Sequence, residues 1–199
     1  MGDSQTSSDP AAEASRAGTT KMKFELVVIP VSDIDRAKRF YSRLGWSCDI
    51  DHTAGDDLRI VQFTPPGSET SIMFGRNITT AAPGSVQGLH LIVSDVEAVR
   101  DDLLRRGIEI SELFHDAGGI FHRAGPKGRS SGPNPQRKSY ASYASFSDPD
   151  GNGWVFQEVT ARLSAGLEAD DTRFTSELVN AALGVATDER LGESTGKLG

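Results

Sequence analysis

Cysteine is nearly absent: Cys48 is the single one in 199 residues. An intrachain disulfide is therefore excluded, and so is a cysteine-based metal cluster. No apolar run approaches the ~18 residues that a membrane-spanning helix needs. Positive charge is in deficit, with 21 Lys and Arg against 28 Asp and Glu and a net charge of −7. Such a balance argues against nucleic acid as a partner. A glycine-rich phosphate loop, a GxSxG elbow and paired histidines at HxH or i,i+4 spacing are all missing. The expectation is a protein of a reducing compartment, the cytoplasm, with no nucleic-acid and no membrane partner.

The remaining composition fits a globular chain: 37% hydrophobic and 25% charged residues, with 21 Gly and 9 Pro concentrated in loops and tails. Residues 1–21 are rich in Ser, Thr, Ala and Asp and read as a disordered tail. Residues 22–159 hold the strand-like and helix-like patterns of one domain. Residues 160–199 read as a polar linker and a C-terminal helix, with Asp171 or Thr172 as its cap. That helix places Phe174, Leu178, Ala181, Ala182 and Val185 on one face. The face suits the chain's own domain or a second copy, so a homodimer is left open.

Within 22–159 the dominant signal is a repeat. Residues 26–46 align with 88–108 at an offset of 62. Val31/Val93, Ser32/Ser94, Asp33/Asp95, Arg43/Arg105 and Gly45/Gly107 are identical pairs. In each copy a β-rich run leads to a serine suited to cap a helix, Ser32 or Ser94. An apolar stripe at helical spacing follows, and Gly45 or Gly107 stands where a left-handed residue ends the helix. Further strand signals come at 46–51, 58–63 and 71–75 in the first copy, and at 108–114, 139–147 and 154–159 in the second. Each copy reads βαβββ, as modules 23–75 and 88–159, the second carrying an insertion at 116–138. DPDGN (148–152) is a turn between the last two strands.

Two βαβββ modules, the VSDIDRAKRFYSRLG start and the DPDGN hairpin resemble the vicinal-oxygen-chelate superfamily of glyoxalases, bleomycin-resistance proteins and extradiol dioxygenases. The resemblance implies an α+β fold whose mixed sheets curl around a shared cleft. It also implies a divalent metal in that cleft. Here the matching ligand positions hold Leu26, Gly88 and Val155, with Ser71, Ile72 and Met73 at the fourth. None offers the imidazole or carboxylate that such a metal needs. No metal ligand and no cofactor is therefore assigned, although the family implies a divalent metal.

Strand parity indicates what stands there instead. Residues two apart share a face, so His90 follows Gly88 and Gln157 follows Val155 into the cleft, while Trp154 and Phe156 turn to the helices. His90 and Gln157 are the candidate catalytic pair, His90 as general base or polarising donor. They are expected in one cavity between the modules. Met73 and Val155, at vacated positions, are candidates for substrate contact. So are His122 and Arg123 in the insertion. That insertion carries five basic residues against Asp116, so it could draw an anionic small molecule. Cys48 is expected to be a buried, inert thiol, and His52 and His115 to be solvent-exposed. The residues support two readings: an enzyme of lyase, isomerase or oxygenase type without the usual metal set, or a non-catalytic protein that sequesters a small molecule in the manner of bleomycin-resistance proteins.

Overall fold

A computed structural model of the chain describes residues 21–118, 125–163 and 166–184. Residues 1–20 of the tail, His122 and Arg123 of the insertion, and Val185 at the chain end lie outside the described residues. The first module runs β1 (Leu26–Val28), α1 (Ile34–Arg43), β2 (Ser47–Ala54), β3 (Leu58–Thr64), β4 (Ser71–Arg76). The second runs β5 (Leu89–Val93), α2 (Val96–Arg105), β6 (Phe114–Asp116), β7 (Arg129–Ser131), β8 (Tyr143–Ser147), β9 (Gly153–Glu158). A short α3 (Ser176–Ala182) follows. The sheets are ordered β1-β4-β3-β2 and β5-β9-β8-β6-β7. In both, the strand before the helix pairs in parallel with the last strand of its module, and the other pairs are antiparallel. The α+β duplication is as expected from the repeat.

The helices form where the apolar stripes predict, but the caps sit one residue later. Asp33 and Asp95, not the serines, accept from the backbone N–H groups of Arg36 and Ala98. In the first copy Ser32 is engaged elsewhere: its N–H and hydroxyl both donate to Asp150 in the turn of the other module. Gly45 and Gly107 follow the helices with φ of 81° and 71°, a conformation that an L side chain rarely adopts.

The modules meet through their helix-covered faces. Tyr41 of α1 is fully buried and packs against Trp46, Phe63 and Phe74 of its own module and Trp154 of the other. Its hydroxyl donates to the buried Asp148 (3.0 Å). Asn152, also fully buried, donates to the Pro30 carbonyl (2.9 Å) and to Asp148 (2.8 Å), and accepts from the Val86 N–H (3.2 Å). The DPDGN turn is thus the pin between the modules as well as a hairpin. Trp154 and Phe156 lie in this common core with Phe40 and Val96.

Several local expectations change. The stretch 108–114 is not a continuous strand. Ile110 makes an isolated bridge to Phe146, the Ser111 N–H donates to the Ser145 carbonyl (2.9 Å), and side chains supply the rest: the Ser111 hydroxyl accepts from the Ser145 N–H (2.9 Å), and Arg100 donates to the Ser111 carbonyl (2.9 Å). The insertion contributes an unforeseen strand, β7. Cys48 is exposed, because β2 is the edge strand and exposed throughout. His115 is half-buried in β6, its Nδ1 2.9 Å from the Gly132 carbonyl oxygen. The C-terminal helix starts at Ser176 with Thr175 as cap, and it buries Phe174 and Val179 while Ala181 and Ala182 stay exposed. It sits on its own domain, where Phe174 meets Tyr140 and the Ser139 N–H donates to the Arg173 carbonyl (2.9 Å). No helix among the described residues is long and apolar enough to cross a membrane.

Candidate functional site

The face of the second sheet turned away from the helices carries the site. Register fixes its rows. His90 lies opposite Val155, which lies opposite Ser145. One step along, Ile92, Gln157, Tyr143 and Phe114 form the next row. Parity therefore places His90, Val155 and Gln157 on one face, with Trp154 and Phe156 on the other.

A cleft of about 940 Å³ opens on this face. His90, Gln87, Val155, Ser145 and Ser147 line it, with Arg129 of β7 closing one side. Among the described residues, its lining falls between 87 and 155, in the second module and the Gln87 that precedes it. His90 is exposed to it. Val155 is 6% exposed and gives the cleft an apolar floor, and Phe114 and Tyr143 pack with it without lining the cleft.

Gln157 shares the face but does not line the cleft. It is 5% exposed, and its amide donates to the Tyr140 carbonyl (3.0 Å) and the Tyr143 hydroxyl (3.2 Å). The Tyr143 hydroxyl in turn donates to the same carbonyl (2.5 Å). Gln157 thus fixes the tyrosine beneath the floor. Met73 belongs to the other sheet, half-buried on β4 opposite Val28 and Gln62. The structure does not bring it to this cleft.

Sequence reasoning missed Arg129, Ser145 and Ser147. The serines were legible in the alternation of 139–147, where every second residue shares a face. Arg129 was hidden in what read as a loop.

Most of the insertion's charge serves the fold. Arg137 donates to Glu158, which is 1% exposed, through Nε (3.1 Å) and a terminal nitrogen (2.6 Å), and also to Glu97 (2.5 Å). Glu158 accepts the Val96 N–H at the start of α2 as well (3.1 Å). Lys138 donates to the Thr172 carbonyl. Arg129 instead lies over the Phe114 ring, 4.0 Å from its centroid.

Two tyrosines are held protonated. Burial pushes the Tyr41 phenol far up, and the neighbouring Asp148 charge adds to it. Burial raises Tyr143 to about 12, with the Gln157 hydrogen bond opposing and the Asp116 charge reinforcing the rise. A phenol whose folded-state pKa is raised contributes stability that is complete below the unfolded value of about 10 and is lost as pH rises through the folded one. Stability should therefore fall between about pH 10 and 12. Followed by absorbance, the tyrosinate signal removed by Tyr143→Phe is expected to rise only as the circular dichroism collapses. Ionisation of Tyr143 near pH 10 with the fold intact would contradict its burial.

The positions where the resemblance places a metal do not fit one. Leu26 and Val155 have no donor atom, and Gly88, at φ 74°, lines the cleft with no side chain at all. Among the described residues no group of three or more His, Cys, Asp or Glu could hold a metal ion. The face offers a hydrogen-bonding imidazole, two hydroxyls and a guanidinium around an apolar floor. The protein is one of paired βαβββ modules, with a cleft of mixed polarity on the second sheet.

The chain belongs to the Glyoxalase/Bleomycin resistance protein/Dioxygenase superfamily, whose model matches residues 23–156. It is similar to TnmS3, an antibiotic-binding protein from Streptomyces sp. CB03234, at 29% identity and a TM-score of 0.51, over 69% of this chain and 96% of that one. A glyoxalase/bleomycin resistance protein from the same organism is 30% identical, with a TM-score of 0.49, over 68% of this chain and 99% of that one. A superfamily member from Sphaerobacter thermophilus DSM 20745 is 25% identical, with a TM-score of 0.49, over 69% and 97% of the two chains. No curated protein matches the chain.

Proposed function

We propose that the protein is a cytoplasmic binding protein that sequesters an organic small molecule in the cleft of its second module, without a resident metal. The observation that carries this reading is the cleft itself. It has an apolar floor and a few polar groups, and Gly88 and Val155 stand in it where a metal-dependent relative would have ligands. The similarity to an antibiotic-binding protein supports the same direction. His90 is the ligand-contacting residue in this reading, and Gln157 positions the floor. The exposed Ile50 and Ile92 and the open sheet faces suit a homodimer.

Two measurements test the reading. Elemental analysis of the purified protein should find metal well below one equivalent, and a tight stoichiometric metal would overturn it. Titration calorimetry against aromatic natural products should find a ligand that is recovered unchanged. For that ligand, His90→Ala is expected to weaken binding at least tenfold, about 1.4 kcal/mol, with the melting temperature nearly unmoved because His90 is exposed. A variant that binds normally would remove His90 from the site, and turnover of the ligand would favour the enzyme reading instead.

A further inference from the structure

We propose that Arg129 makes this cleft selective for an anionic aromatic ligand, one carrying a carboxylate or phenolate on a planar ring. The inference rests on the organic-ligand reading of the cleft and deepens it.

Arg129 is the first residue of β7 and one wall of the cleft. It forms no ion pair within 4.0 Å among the described residues, unlike Arg137, which two carboxylates hold. Its Nε is buried and has no acceptor. A buried donor left unmatched is costly, and a charged one more so. Asp116 stands directly opposite Arg129 in the β6–β7 ladder, yet its Oδ2 is likewise buried and without a donor. The two charges therefore do not neutralise each other by contact. The guanidinium carbon lies over the Phe114 ring, 4.0 Å from its centroid. Phe114 is itself stacked on Tyr143, with ring centroids 5.5 Å apart and planes at 21°. A cation fixed on an aromatic platform is oriented before any ligand arrives, so little freedom is lost on binding.

The chemistry selects the partner. A guanidinium fork takes a carboxylate in two parallel hydrogen bonds and a phenolate in one. The apolar floor at Val155 suits the flat ring that carries the anion, while Ser145 and His90 stand on the neighbouring strands for further polar groups. Two carboxylates line the cleft: Glu109 at its exposed rim, where solvent screens it, and the buried Asp148, which accepts from the Tyr41 hydroxyl and the Asn152 amide.

The test uses the full-length protein and two probes of one shape, 2-naphthoate and its uncharged 2-naphthamide, titrated by calorimetry at low ionic strength. The wild-type protein is expected to bind the naphthoate about tenfold or more tightly than the amide. Arg129→Gln should bring the two affinities together, chiefly by weakening the naphthoate. Arg129→Lys should keep part of the preference, because it retains charge and loses the fork. Equal affinities in the wild-type protein, or a preference that survives Arg129→Gln, would overturn the inference while leaving the organic-ligand reading intact. The wild-type comparison decides this even if a variant is unstable. Binding of neither probe would overturn the assignment of this cleft to aromatic ligands altogether.

Discussion

Replacement of Arg137 by alanine is expected to destabilise the protein by about 2–3 kcal/mol, less than for a fully buried ion pair, because Glu158 is buried while the Arg137 side chain is 41% exposed. Glu158 is 1% exposed and receives two hydrogen bonds from that guanidinium. Without it, the carboxylate keeps the Val96 N–H and loses its counter-charge. The start of α2, the end of β9 and the insertion all meet there, so the damage should spread to the whole module. Urea unfolding should report it as a large shift of the midpoint. A double replacement, Arg137→Met with Glu158→Leu, should recover most of the loss, since two apolar groups leave no buried charge. A single variant near wild-type stability would show that Glu158 is reached by water. It would also return Arg137 to the pool of charges available for a ligand.

Asn152→Ala is the second large effect. The side chain is fully buried and closes three contacts: the Pro30 carbonyl, the Val86 N–H and Asp148. Truncation leaves those groups unmatched, at about 2–4 kcal/mol in total. For a chain of this size the melting temperature should drop by roughly 5–15 °C. The pin touches the cleft only through Asp148, which keeps its hydrogen bond from the Tyr41 hydroxyl, so below the melting transition ligand affinity should be largely preserved. If affinity fell as steeply as stability, the inter-module pin would have to be part of the site.

The repeat made the fold legible. Both helices carry their apolar stripes and terminal glycines in plain view, and the strand order follows from the βαβββ pattern. Alternation in β5 and β9 also placed His90 and Gln157 on one face correctly. It could not tell their depth. Gln157 is buried because the loop before β8 folds over it, with Tyr140 at φ 68°, and nothing local in 139–143 signals that turn. The insertion misled in a different way. Its five basic residues read as one field, whereas Arg137 and Lys138 are tied to the fold and Arg129 alone of the described ones lies on an aromatic ring beside the cleft. Pairing of charges across 20 or more residues leaves no periodic trace. Cys48 and His115 exchanged their expected environments because edge position, which sets exposure, depends on which strand ends the sheet.

The pin between the modules has a kinetic side. Ser32 reaches Asp150, and Pro30 reaches Asn152, across 118 and 122 residues of sequence. Contacts this distant must wait until the chain between them has been made and closed, which slows folding. During synthesis the first module would emerge with the Tyr41 and Trp46 surface uncovered until Trp154 has left the ribosome. For that interval the growing chain presents an aromatic patch of the kind that chaperones hold. A fragment stopped before residue 148 should therefore be poorly soluble, even though it carries every strand of the first sheet.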